Sequence, residues 1–289
     1  MNPGRLTTQR WKVGSATITS VVESEDDIPP GFLLPDATEA MVEAHPWLTP
    51  DWATPDGAIG LRVQAFVVEI DGRTVLVDPC VGNGKTRWLA PWNMLDTPFM
   101  DRLAEAGFVP PDVELVVHTH LHADHVGWDT HRVGDDWVPT FTNARHLYNA
   151  AELEHVRVFV LPGEDVYADS IGPIFDAGLA DVIEPDADLG SGLRLEPTPG
   201  HTPGHTSLWI QSDGEAALLL GDFMHHPLQF AEPHLAEIAD ADAEVARETR
   251  RRMLGELART GALVLGAHFP TRPAGRVVVD GDAWRFVPE

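Results

Sequence analysis

The stretch Val117-His118-Thr119-His120-Leu121-His122-Ala123-Asp124-His125-Val126-Gly127 decides how this chain is read. His120, His122, Asp124 and His125 bring three imidazoles and a carboxylate together within six residues. Each is a polar group that must find a partner if it is buried, so packing alone is a poor reason to collect them. Imidazole nitrogen suits zinc, and the added carboxylate admits iron, manganese or cobalt. On an extended segment, side chains two apart point the same way. The spacing therefore predicts His120, His122 and Asp124 on one face, with His125 aimed at a neighbouring point. One short loop would then feed two adjacent ions. A histidine-rich surface loop is the plain alternative, and ligands elsewhere in the chain weigh against it.

The residues before the loop support that placement. Val113-Glu114-Leu115-Val116-Val117 is an apolar, β-branched run that reads as a buried strand, and the candidate ligands begin where it ends. Active sites of layered α/β proteins gather at such strand ends.

Further along come Thr198-Pro199-Gly200-His201-Thr202-Pro203-Gly204-His205, Leu220-Gly221-Asp222 and Leu265-Gly266-Ala267-His268. With these, the chain resembles the metallo-β-lactamase-fold superfamily of metallohydrolases across roughly residues 60 to 270. The family's order is His-x-His-x-Asp-His, a His in a Gly-His-Thr context, a lone Asp and a late His. The resemblance implies an α/β fold, an αββα four-layer sandwich of the metallo-β-lactamase type. It assigns His120, His122 and His201 to one metal, Asp124, His125 and His268 to a second, and Asp222 as the bridge. Two divalent ions are implied, zinc first, with iron, manganese or cobalt admissible.

The chemistry implied is hydrolysis by a hydroxide shared between two dications, without a serine or cysteine nucleophile or an organic cofactor. Lactones or related carboxylic esters are the expected substrates. Within the superfamily, the acyl-homoserine lactonases carry a substrate-contacting Tyr three residues after the bridging Asp, where this chain has His225. The methyl-parathion-hydrolase-like branch has His there, which keeps a phosphotriesterase open. A β-lactamase, a thioesterase and a mononuclear-iron persulfide-dioxygenase-like enzyme also stay open. Asp124, Asp222 and His225 are the candidate catalytic residues. His118 reads as a buried supporting residue, and His205 as one that orients its loop.

Composition bounds the setting. The 45 acidic and 20 basic residues give a formal charge of −25. That repels phosphate backbones and anionic membranes, so neither nucleic acid nor a membrane is an expected partner, whereas a small-molecule substrate is. Cys80 is the sole cysteine, which excludes an internal disulfide, and it reads as a buried structural thiol at the end of a strand. Met1-Asn2-Pro3-Gly4-Arg5 lacks an apolar segment, and no run of about 18 apolar residues exists to span a bilayer. A cytoplasmic enzyme is expected.

One domain, 1–289, is the simplest organisation, with 1–60 as N-terminal strands and a long Pro-rich arm. Ala16 to Val22, Leu61 to Ile70, Thr74 to Val77, Arg145 to Tyr148, Leu193 to Glu196, Ser207 to Gln211 and Ala216 to Leu220 read as strands, with a hairpin turn at Asp71-Gly72. The arm, Ile28 to Pro55, carries Phe32, Leu33, Leu34, Trp47, Leu48 and Trp52. It either packs on a neighbour, as in a homodimer, overhangs the site, or is a plain packed loop. Pro98 to Gly107 and Ala150 to Val158 predict helices. Asp240 to Arg259 predicts a longer one, with Val245, Thr249, Met253 and Leu257 on the core side and Arg250 to Arg252 on the solvated side. Trp88, Trp92, Trp128, Phe223 and Phe230 are candidate aromatic walls for an apolar substrate group.

Overall fold

The β-branched runs pair into two seven-stranded sheets in the computed structural model, which describes residues 7–289. The opening segment Met1–Arg5, read above for a leader, lies outside the described residues. The chain divides into two compact units, the first made of residues 7–24 and Val63–Ala187, the second of Glu25–Arg62 and Asp188–Glu289.

The first sheet has the order β1 (Gln9–Val13), β2 (Ala16–Ile28), β3 (Ile59–Ile70), β4 (Arg73–Val77), β5 (Leu115–Val117), β8 (Arg145–Asn149) and β9 (Ala180–Ile183). A short ribbon of β6 (Thr130–Val133) and β7 (Asp136–Pro139) stands apart from it. β3 and β4 form the expected hairpin, with both Asp71 and Gly72 at positive φ as a two-residue turn demands. β4, β5 and β8 then run parallel, which brings their C-terminal ends together. The second sheet runs from β10 (Asp188–Gly190) through β11 (Leu193–Pro197), β12 (Thr206–Ser212), β13 (Glu215–Leu219), β14 (Leu263–Leu265) and β15 (Ala274–Asp280) to β16 (Ala283–Pro288). Its one parallel pair, β13 with β14, again aligns two strand ends.

Eight α-helices join these strands among the described residues: α1 (Pro30–Leu33), α2 (Glu39–Ala44), α3 (Phe99–Glu105), α4 (Ala123–Val126), α5 (Ala150–Val158), α6 (Gly172–Asp176), α7 (Leu228–Ala231) and α8 (Ala243–Thr260). α5 starts where the Asn149 side chain accepts the Ala151 N–H at 2.9 Å. α8 starts on Asp242, which accepts the N–H groups of Glu244 and Val245, and stops at Gly261, at φ 67°. No helix among the described residues is long and apolar enough to cross a membrane.

Two sequence readings, of the α8 faces and of the aromatic walls, need correction. The core face of α8 is Ala246, Thr249, Arg250, Met253, Leu254 and Leu257, with Val245 only half-buried. Arg250 is therefore inside, not on the solvated side, because backbone carbonyls of irregular loops await its guanidinium. The arm is packed, one of the alternatives its sequence left open: it holds α1 and α2, and Leu34, Leu48 and Trp52 sit in the core of their own unit. Of the candidate aromatic walls, Trp128 belongs to the core of the first unit, and Phe223 and Phe230 to that of the second.

Candidate metal centre

Each unit carries a cluster of the ligands predicted from the sequence. In the first, β5 delivers its chain into a loop at the parallel strand ends. There Asp78, directly after β4, accepts the Thr119 N–H and the Thr119 hydroxyl, each at 2.8 Å. That carboxylate also lies 3.1 Å from His125 Nδ1. The His120 ring is 4.6 Å from that of His122 and 4.1 Å from that of His125. Asp124 Oδ2 lies 3.5 Å from His125 Nε2. Asp124 does not continue an extended alternation, as the spacing predicted. It sits in the first turn of α4, where the chain has begun to coil, and it reaches its neighbours from a helix.

The loop is held from behind. Gly127 donates its N–H to the Cys80 carbonyl at 2.7 Å, and Trp128 donates to that of Pro79 at 2.8 Å. The approach is so close that a Cβ on Gly127 would stand 1.8 Å from the Val81 carbonyl oxygen. Glu23 braces the facing turn, accepting the Val81 N–H at 2.7 Å and the Trp128 indole N–H at 2.6 Å. Burial raises the Glu23 carboxyl above its usual range, although these donors oppose the shift. Cys80 is fully buried, and burial first, then the Glu23 and Asp124 carboxylates, push its thiol well above the ordinary value. The expected burial of this thiol is thus borne out.

His118 serves the same scaffold. It contacts the Leu147 carbonyl at 2.9 Å through Nδ1 and the Asp129 carboxylate at 2.9 Å through Nε2. Asp129 also meets His146 Nδ1 at 3.1 Å and the Tyr148 hydroxyl at 2.9 Å. Burial works against ionising Asp129, yet the two histidines outweigh it and hold the carboxyl well below its usual range.

In the second unit, three imidazoles converge on one carboxylate oxygen. Asp222 Oδ2 lies 3.0 Å from His225 Nε2, 3.1 Å from His268 Nε2 and 3.6 Å from His201 Nε2. The aligned ends of β13 and β14 place Asp222 and His268. Asp222 is fixed further by its own N–H, which donates to His205 Nε2 at 2.8 Å, while His205 Nδ1 meets the Thr198 hydroxyl at 2.8 Å. His205 therefore orients the turn, as its sequence position suggested.

The donor set fits a cation. His268 Nδ1 lies 2.7 Å from the Arg62 carbonyl, which can only accept, and His201 Nδ1 lies 3.1 Å from Asp240 Oδ1. Both rings then carry their proton on Nδ1 and turn an Nε2 lone pair towards an anionic oxygen. Lone pair against carboxylate is repulsive unless a second proton or a cation intervenes. Ligating histidines show this pattern, with the far nitrogen donating to a carboxylate or carbonyl. His225 differs: its buried Nδ1 has no hydrogen-bond partner among the described residues.

Asp78, Asp240 and Glu237, which lies 3.6 Å from His201 Nδ1, escaped the sequence reading. Asp78 had a signal, a carboxylate directly after a strand parallel to the one feeding the ligand loop. Asp240 and Glu237 had none, because their loop is placed only by tertiary structure.

The whole chain compares well with known folds. The solved hydrolase AbOPH of the beta-lactamase superfamily matches with a TM-score of 0.81 at 24% identity, covering 98% of this chain and 97% of that one. The dizinc quorum-quenching lactonase AidC matches with a TM-score of 0.80 at 20% identity, covering 99% and 98%. At these identities the likeness speaks for the fold alone. An N-acyl homoserine lactonase of Bacillus thuringiensis is 26% identical over 179 residues, 58% of this chain and 65% of that protein, so the chain spans just under two thirds of that relative's length. The metallo-beta-lactamase superfamily itself matches over residues 58–268, a span running from β3 to His268 that takes in both ligand clusters. With mixed α/β sheets, strand-end ligand loops and this match agreeing, the chain belongs to the metallo-beta-lactamase superfamily.

Proposed function

We propose that this chain is a metal-dependent hydrolase that opens lactones or related carboxylic esters, and that both ligand clusters of its one domain serve the same reaction. The observation that carries this reading is the convergence of His201, His225 and His268 on Asp222, with the far nitrogens of His201 and His268 anchored. The lactonase relatives supply the substrate class. In the family's ligand order, His120, His122 and His201 would hold one divalent ion and Asp124, His125 and His268 a second, with Asp222 completing the ligand set. Such ions, zinc by first choice, supply Lewis acidity at the ester carbonyl and hydroxide at neutral pH.

The protein's own residues do the rest. Asp222 sets the positions of the surrounding rings, and its backbone is pinned by His205. Asp240 and the Arg62 carbonyl keep the His201 and His268 protons on Nδ1. His225 stands outside the seven ligands. With Nε2 against Asp222, its Nδ1 is left to take up the proton released by the attacking water and to pass it to the departing alkoxide. A histidine at this position also favours a second reading, phosphotriester hydrolysis, in which the same nitrogen serves a different leaving group.

The first test is stoichiometric. A fully loaded sample is expected to hold about two transition-metal ions per chain. It should cleave lactones or aryl esters in a screen that also offers thioesters, β-lactams and phosphotriesters. Saturation at one ion would overturn the two-ion assignment and favour the mononuclear-iron alternative. His225→Ala is expected to lower turnover about 10²-fold or more with metal content unchanged, the range for a positioned proton donor or acceptor. Unchanged kinetics on lactone, ester and phosphotriester alike would leave His225 a packing role only.

A further inference from the structure

α8 buries a full guanidinium where an aliphatic side chain would satisfy the apolar core around Met253, Leu254 and Leu257. Arg250 is 0% exposed. Among the described residues it makes no close bidentate ion pair: Asp240 Oδ2 lies 3.9 Å from its Nη2. Burial without such a pair is costly and pulls the guanidinium down to about 10. What the side chain does have is backbone. Nε donates to the Phe223 carbonyl at 3.1 Å, and Nη1 to the carbonyls of Pro233 and Leu235 at 3.1 and 2.8 Å.

Those carbonyls belong to the two irregular segments that carry the second unit's ligand machinery. Phe223 directly follows Asp222, in a turn where Asp222 itself departs from helical geometry. Pro233 and Leu235 open the loop that ends at Glu237 and Asp240. Within it, Asp240 Oδ2 accepts the Glu237 N–H at 2.9 Å while Oδ1 faces His201 Nδ1 at 3.1 Å. The two segments are also tied by Gln229, which accepts the His225 N–H at 2.8 Å and donates to the Leu235 carbonyl at 3.0 Å.

We propose that Arg250 is a positioning residue for the metal centre, clamping the Asp222 turn to the Asp240 loop so that Asp222 and His201 keep their relative geometry. This rests on the ligand roles proposed above for those two residues. A lysine could not replace it fully, because one ammonium lacks the planar fork that reaches carbonyls on two segments at once.

The test uses cobalt(II) loaded into the full chain, with Arg250→Met, Arg250→Lys and Asp240→Asn. Arg250→Met is expected to change the visible cobalt spectrum and to speed stripping by EDTA about 10- to 100-fold, the range for losing support behind a ligand. Arg250→Lys should fall between it and the wild type. Should the methionine variant not fold, the lysine variant decides the question alone. The double variant Arg250→Met, Asp240→Asn should lose little more than the larger single effect, since both act on His201. Wild-type spectra and stripping rates in the folded arginine variants would overturn the proposal, as would fully additive losses. A wild-type chain that binds no cobalt would instead overturn the ligand assignment beneath it.

Discussion

Asp222→Ala is expected to cut hydrolysis on the order of a hundredfold or more and to weaken metal retention, while the protein still unfolds cooperatively. The reason is the number of groups that depend on one side chain. Three Nε2 atoms lie within 3.6 Å of its Oδ2. Without the carboxylate, three buried imidazoles lose the anion on which they converge. The backbone N–H of residue 222 survives the substitution, so the bond to His205 and the turn itself should persist. Kinetics on metal-saturated protein, beside a thermal melt, separate the two effects. Near-wild-type turnover at full occupancy would remove Asp222 from the mechanism.

Gly127→Ala should be the most damaging single methyl in the first unit. The added carbon would meet the Val81 carbonyl oxygen at 1.8 Å, the Val81 carbonyl carbon at 2.0 Å and the Cys80 oxygen at 2.7 Å. All three are backbone atoms, which cannot rotate away as a side-chain tip can. We expect a loss on the order of 4 kcal/mol, above the usual 1–3 for overpacking. That corresponds to a fall in melting temperature of roughly 10 °C for a chain of this size. Gly255→Ala is the matched control. It lies in α8 with nothing within 4 Å of the new carbon, and it should be neutral or gain up to about 1 kcal/mol. Equal melting temperatures for Gly127→Ala and wild type would show that the Cys80–Gly82 turn yields easily.

Where local rules settle geometry, the sequence is legible. Asp71-Gly72 between two apolar runs reads as a tight turn, and the helix expected over Ala150 to Val158 forms with those bounds. The ligand order along the chain points to the family before any contact is visible. Reading fails where tertiary demand overrides local preference. Arg250 looks like one of three solvated arginines, because nothing nearby in sequence announces that the carbonyls of Phe223, Pro233 and Leu235 need a donor. Asp124 looks extended because the preceding strand is; the coil into α4 begins only at Ala123. The β15–β16 hairpin escaped the reading although a local signal exists for it, Gly281-Asp282 between two β-branched or aromatic runs, with Gly281 at positive φ.

The turn behind the ligand loop also gives the molecule a built-in reporter. Cys80 is the sole thiol, fully buried, and its carbonyl is the acceptor for Gly127. A thiol so shielded, and so reluctant to ionise, stays chemically silent while that turn is closed. Its alkylation clock therefore ticks only during openings of the segment on which the first ligand cluster leans, and it measures how often the scaffold beneath the chemistry breathes.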